Sequence, residues 1–289
     1  MLTVIIGISS ALVFGAADFL GGLAARRISP VLVTAIAALA GLAVLLVMLA
    51  FVGGQWSAPA VLLGAASGVT GAVAIGLLYA CLAIGPMSIL SPLTAVVSAI
   101  VPLTVGLIGG ERLGVIGYVA LAVALVAIVL VGFVPERGAV RPSLKGVLMA
   151  IGSGIAIGAF LILIDAAPDD SGLVPLVLNR AVNSTIMFAL VGALALIAWR
   201  RRNGAPAPAS PWRTGLGFAL ACGVIDAIAN VGLLIGVRLG ELSVMAVLTA
   251  LYPAGTIILA AIVLKERIAI VQYVGLALAV IAGAMLALA

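Results

Sequence analysis

The chain has 289 residues, 65% of them hydrophobic and 8% charged, with a net charge of +5. An ordinary soluble domain carries roughly 25% charged residues, so this composition excludes a water-soluble globule and places the chain in a membrane. The basic residues sit in short clusters between apolar runs, which fits phospholipid headgroups and not a nucleic-acid face; with no histidine and no Cys or carboxylate cluster at ligand spacing, neither a metal site nor a cofactor is expected.

About 20 apolar residues are needed for a helix to cross the hydrocarbon core. Ten such runs are predicted, at 3–23, 31–52, 60–83, 87–108, 114–133, 145–165, 174–198, 213–237, 242–263 and 268–288. The first has no basic residue before it and nine more follow, so it is read as a retained span and not a cleaved signal peptide. Short connections carry turn chemistry, as at Gly53-Gly54, Ile84-Gly85-Pro86 and Arg238-Leu239-Gly240. The longest connections are Pro135 to Ser143 and Arg200 to Pro211, the latter with three prolines and read as a mobile loop. The runs are continuous and do not alternate, which disfavours a β-barrel. Cys81 and Cys222 fall in apolar runs and are expected to pack as small hydrophobes.

A charge inside hydrocarbon costs about 2.5–3.5 kcal/mol on insertion scales, so ionisable residues within spans face a bundle interior or a watery cavity. In chain order the first is Asp18, near the second end of span 1, either a gating or proton-linked carboxylate or a partner of Arg26 or Arg27 at the interface. Span 4 lines one face with Ser91, Thr94 and Ser98 and is expected to be interrupted by Pro92 and Pro102. Asp165 ends span 6, within expected reach of Arg180 in span 7, where Asn179 and Asn183 flank it. Span 8 sets Asp226 and Asn230 four residues apart, hence on one face. Span 9 presents Thr249, Tyr252 and Thr256 and is interrupted by Pro253. The functional expectation is a polar chamber in which Asp226, Asn230, Arg180, Asn179, Asn183, Ser91, Thr94, Ser98, Thr249 and Tyr252 meet a solute, with Pro102 and Pro253 as gating positions. The bland alternative is a structural ion pair with hydroxyls bonding back to their own helix carbonyls. Glycines at four-residue spacing (Gly64-Gly68, Gly154-Gly158, Gly232-Gly236-Gly240) are expected to form close-packed seams.

Sliding the chain against itself by 155 positions lays Gly68 on Gly223, Gly85 on Gly240, Ser88 on Ser243 and Thr94 on Thr249. The same shift lays Glu111-Arg112 on Glu266-Arg267 and Tyr118 on Tyr273. Five spans separate a residue from its echo, and five is odd, so the second copy enters the bilayer upside down. The expected fold is all-α integral membrane, ten transmembrane helices as two inverted five-helix repeats over 1–134 and 145–289, joined by a loop at 135–144. Each Glu-Arg turn is read as an acid near the positive end of its own following helix, with the Arg at the headgroups.

Gly109-Gly110-Glu111-Arg112-Leu113 and Lys265-Glu266-Arg267-Ile268, each followed by a Gly/Ala-rich span, resemble the end-of-repeat signature of EamA-type transporters in the drug/metabolite transporter superfamily. The segment from Phe14 to Arg27 resembles one branch of that family. The resemblance covers nearly the whole chain. It implies a central cavity lined mainly by spans 1, 3, 4, 6, 8 and 9, alternating access, and no shared catalytic motif; bacterial members include exporters of amino acids. In one departure, many members carry basic residues after span 2, whereas Gly53 to Pro59 has none here and the basic pair follows span 1.

Eleven basic residues fall on the side opposite the N-terminus (Arg26, Arg27, Arg137, Arg141, Lys145, Arg200, Arg201, Arg202, Arg213, Lys265 and Arg267), against Arg112 and Arg238 on the N-terminal side. The positive-inside rule then sets both termini outside the cell inner membrane. The predicted activity is secondary-active export of a small metabolite, amino acids being the most specific expectation, by a monomer or homodimer among membrane lipids. No Gly-x-x-x-x-Gly-Lys-Ser/Thr loop is present for ATP. Alternatives are a proton-coupled exporter of drug-like or quaternary-ammonium cations, a passive channel, or an intramembrane lipid-modifying enzyme; the last expects clustered acids that this chain lacks, and no enzymatic activity is predicted.

Overall fold

The computed structural model describes residues 1–84, 87–132, 142–201, 212–265 and 267–288. Eleven helices occupy them: α1 Leu2–Ala25, α2 Pro30–Val52, α3 Ala58–Ile84, α4 Met87–Ile108, α5 Val115–Gly132, α6 Leu144–Asp165, α7 Val174–Arg201, α8 Trp212–Leu239, α9 Leu242–Thr249, α10 Tyr252–Val263 and α11 Ile270–Leu288. A 3-10 turn, Asp169–Ser171, precedes α7, and no strand occurs among the described residues. The helices start and stop for local reasons. Ser29 caps α2 by accepting from the Leu32 amide with Pro30 in the first turn, and Gly53 at φ 75° ends it. Ser143 caps α6 through the Gly146 amide at 3.1 Å. The connecting segment at 135–144 and the proline-rich connection after Arg200 lie largely outside the described residues.

Nine spans among the described residues are long and apolar enough to cross a membrane, α9 and α10 counting together as one, and α4 makes the tenth. Large apolar side chains such as Phe51, Ile108, Val115 and Val280 lie on the outside, where lipid replaces the packing that a soluble protein provides.

The helices pack in symmetric pairs. α1 lies on α8 as α6 lies on α3; α2 lies on α8 as α7 lies on α3; α1 lies on α9 and α10 as α6 lies on α4. α2 meets α7 and α5 meets α11, each helix against its own equivalent in the other half. Advancing every helix by one five-span unit thus reproduces the contact pattern, and the odd number of spans makes the two units antiparallel. Lipid tails are as apolar as leucine, so close backbone approach must hold these pairs. A Cβ on Gly64 would stand 2.6 Å from the Pro175 carbonyl oxygen, and one on Gly154 2.6 Å from Val97 Cβ. Gly232 in α8 and Gly240 just after it likewise make room for Ser10 and Thr3 of α1, and Gly236 for Met245 of α9. An aliphatic cluster including Leu121, Ile128, Val247 and Leu248 binds α4, α5, α9 and α11. The middle of the bundle, by contrast, is not filled.

Candidate functional site

Between the halves lies a cavity of about 280 Å³. The first half contributes Phe14 and Asp18 from α1, Gly71, Ala74, Ile75 and Leu78 from α3, and Ser98 from α4. The second contributes Ile157, Phe160 and Leu161 from α6, Asn179, Arg180 and Asn183 from α7, and Asp226, Asn230 and Leu233 from α8. Ala246, Thr249, Ala250 and Tyr252 complete it from the ninth span. The lining helices match those implied by the family resemblance, with α7 in addition.

Among these residues the Arg180 guanidinium forms an ion pair with the Asp226 carboxylate, the two side chains retaining 15% and 25% exposure. Asp226 takes the place expected for Asp165. Asp165 instead stands at the end of α6 among Glu111, Asp169 and Glu241. The Arg180–Asp226 pair bridges two helices that both rest on α2, and Gly41 lets α2 approach α8 closely. A Cβ on Gly41 would lie 3.1 Å from the Gly223 carbonyl and 3.7 Å from Arg180 Cδ. Pattern reading alone gives no reason to single out Gly41.

Polar groups around the pair fall into two sets. Some are satisfied by protein: Asn230 Nδ2 donates to the Asp226 carbonyl at 2.8 Å, and Asn179 Nδ2 donates to Ser67 Oγ at 2.9 Å. Ser98 lines the cavity while its hydroxyl donates to the Ala95 carbonyl at 2.8 Å. Others are buried with no protein partner among the described residues: Arg180 Nε, Asn183 Oδ1 and Thr249 Oγ1, all on residues facing this one cavity. Buried polar groups are nearly always hydrogen-bonded, and two more such atoms, Arg238 Nε and Ser243 Oγ, lie away from the cavity.

Other expected site residues stand apart. Thr94 does not line the cavity; its hydroxyl donates to the carbonyls of Leu90 (3.0 Å) and Ala150 (3.2 Å), stitching α4 to α6. The side chain of Ser91 lies outside the described residues. Pro102 sits in a continuous α4 and packs beside Gly158, so it interrupts nothing. Pro253 does interrupt its span. It sits at the start of α10, where Ala250 and Leu251 leave the helix. Thr256 donates to the Gly15 carbonyl at 3.1 Å and holds α10 against α1. Cys81 is buried and Cys222 half-buried, with no disulfide between them.

The role expected for Glu111 is corrected. Its carboxylate accepts from the amides of Leu242 (2.7 Å) and Ser243 (3.0 Å), capping α9 of the opposite half and not α5. α5 begins only at Val115, and the turn at Gly110 (φ 106°) lies between α4 and the glutamate. Glu241, the N-cap residue of α9, makes no side-chain cap bond. Burial, the Glu111 charge and a hydrogen bond to Glu111 push the Glu241 carboxyl above its ordinary value. Glu266, the echo of Glu111, lies outside the described residues.

Residues 144–288, half of the chain, match the model of the EamA-like transporter family. No curated protein matches. One solved structure, titled only "Crystal structure of protein", superposes with a TM-score of 0.76 at 18% identity, covering 99% of this chain and 98% of that one. At that identity the likeness shows the shared fold alone.

Proposed function

The chain belongs to the EamA-like transporter family and is a multi-pass membrane transporter of small solutes; from that premise we propose that it is a secondary-active exporter of amino acids, working by alternating access of the central cavity. The observation that carries the proposal is the Arg180–Asp226 pair beside unpartnered Arg180 Nε and Asn183 Oδ1. A zwitterion offers the complementary groups: a carboxylate for the Arg180 guanidinium, and an ammonium for Asp226 and the Asn183 carbonyl oxygen. Small apolar walls from Ala74, Ala246 and Leu233 leave room for a short side chain. Inverted repeats that enclose a central site provide the means of alternation. The two repeats also differ in shape, since α4 runs unbroken where its equivalent is split into α9 and α10. Such a difference between equivalent helices supports an exchange of conformations between the halves. On this proposal the protein sits in the cell inner membrane with both termini outside.

A second reading has one feature in its favour. Phe14, Phe160 and Tyr252 line the same cavity as Asp18 and Asp226, a setting that suits organic cations. Counterflow in proteoliposomes separates the possibilities. Amino acids inside the vesicle should accelerate entry of labelled amino acid, whereas trans-stimulation confined to quaternary-ammonium compounds selects the cation reading. Uptake without trans-stimulation by any solute would indicate a channel and end the carrier proposal. A reporter fused after Ala289 should read as extracytoplasmic, and a cytoplasmic signal would reverse the orientation.

A further inference from the structure

Among the described residues the charged side chains lining the cavity are Asp18, Arg180 and Asp226, two carboxyl groups against one guanidinium. Arg180 is engaged by Asp226. Asp18 has no basic partner among the described residues, although it projects into a chamber inside the bilayer, where an unmatched carboxylate is costly. Opposite it the ninth span comes apart. Pro253 has no N–H, so the Thr249 carbonyl loses its helical donor. The Ala254 amide donates to the Leu251 carbonyl at 2.9 Å, which leaves the Ala250 carbonyl without its donor as well. The Thr249 hydroxyl oxygen is buried and unpartnered. The bond from Thr256 to the Gly15 carbonyl fixes this break against α1, one turn from Asp18.

We propose that Asp18, the Thr249 hydroxyl and the carbonyls released at the break form a binding site for one monovalent cation, built on residues other than the Arg180–Asp226 pair. Carboxylate, hydroxyl and carbonyl are all hard oxygen donors, and among the described residues no sulfur or imidazole lines the chamber. Unwound carbonyls at a broken transmembrane helix are suited to coordinating a positive charge. The count of charges sets the valence: one positive charge balances the lining, and two would overshoot it. Two sources share this chemistry, an alkali ion and an organic ammonium group.

The test is thermal unfolding of the purified full chain in detergent at fixed ionic strength and pH, in NaCl, KCl, methylammonium chloride or N-methylglucamine chloride. A ligand that binds only the folded state raises Tm saturably. Na⁺, K⁺ or methylammonium should raise Tm by several degrees over N-methylglucamine. Asp18→Asn, which removes a charge and keeps the shape, should abolish the rise, and Thr249→Val should reduce it. A rise with alkali ions assigns the site to an inorganic co-ion; a rise with methylammonium alone assigns it to an organic ammonium group. Equal Tm in all four salts, or a rise that survives in Asp18→Asn, overturns the proposal. The assay needs no solute at the Arg180–Asp226 pair, so failed amino-acid counterflow with an intact cation response would remove the proposed transport substrate and leave this site standing.

Discussion

Glu111 accepts the Leu242 amide at 2.7 Å across 131 positions of sequence, so the turn before α5 in one half holds the start of the broken span in the other. A carboxylate at a helix N-terminus satisfies orphan amides and meets the positive end of the helix dipole. Replacing a capping side chain by alanine costs about 0.5–2 kcal/mol. Glu111→Ala should therefore lower Tm by a few degrees and speed hydrogen exchange at Leu242 and Ser243, with Glu111→Gln falling between. Unchanged exchange at those two amides would show that α9 does not depend on the cap.

The neighbouring acid makes the same junction sensitive to pH. The Glu241 carboxyl is raised from its ordinary value of 4.5 by burial and by Glu111. A carboxyl raised in the folded state contributes its stability while protonated. That contribution is complete below about 4.5 and is lost as pH rises through the folded value. Glu241 is largely exposed, so the effect is modest. Tm should fall slightly as pH is raised through this window, and Glu241→Gln should flatten the slope. An equal slope in both proteins would place the pH response elsewhere.

These two glutamates show where sequence reading succeeds and where it stops. The ten spans follow from apolar run length, which the bilayer itself dictates, and their ends agree with the helices to within a few residues. The inversion follows from arithmetic on the Glu-Arg echo. Asp226, Asn230, Arg180 and Asn183 were legible as cavity residues because polar groups inside a span need somewhere wet to go. Pairing was not legible. Whether Arg180 meets Asp165 or Asp226, and whether Glu111 caps α5 or α9, depends on which helices cross. The space at Gly41 and the split at Leu251 also belong to tertiary structure. Thr94 and Thr249 are repeat equivalents, yet one is stitched to α6 and the other faces the cavity unpartnered.

Removing one member of the Arg180–Asp226 pair leaves the other charged in a low-dielectric setting, an effect of about 3–5 kcal/mol for fully buried pairs. Side-chain exposure of 15% and 25% softens this. Arg180→Ala and Asp226→Ala should each destabilise by about 1–3 kcal/mol, and the double variant by less than the sum of the two. All three should lose counterflow of amino acids. Additive destabilisation would show that the pair carries no coupling energy, and retained transport in Asp226→Ala would remove it from solute binding.

The glycine seams allow a direct steric comparison. A Cβ on Gly154 would stand 2.6 Å from Val97 Cβ and 2.8 Å from the Thr94 carbonyl oxygen, whereas one on Gly76 meets nothing within 4 Å. Gly154→Ala should force α6 away from α4 and reduce the yield of folded protein. Gly76→Ala should be neutral or slightly stabilising, because alanine costs less backbone entropy than glycine. Equal yields and melting temperatures for the two variants would mean that α4 and α6 are not in close contact.

Pro253 distinguishes a break kept for function from one that packing imposes. Proline cannot donate to the Thr249 carbonyl, and Leu251 and Ala254 complete a tight turn instead, with Leu251 bonded to the Leu248 carbonyl at 3.1 Å. Alanine at this position restores the missing donor and favours one continuous helix, as in α4. Pro253→Ala should raise Tm while slowing counterflow, since the released carbonyls would be drawn back into the helix and the two halves would become more alike. The same substitution should weaken any Tm response to Na⁺ or methylammonium, because the Thr249 carbonyl would regain a helical donor. A variant that is more stable and transports at the wild-type rate would show that the break is tolerated by the fold and not used by it.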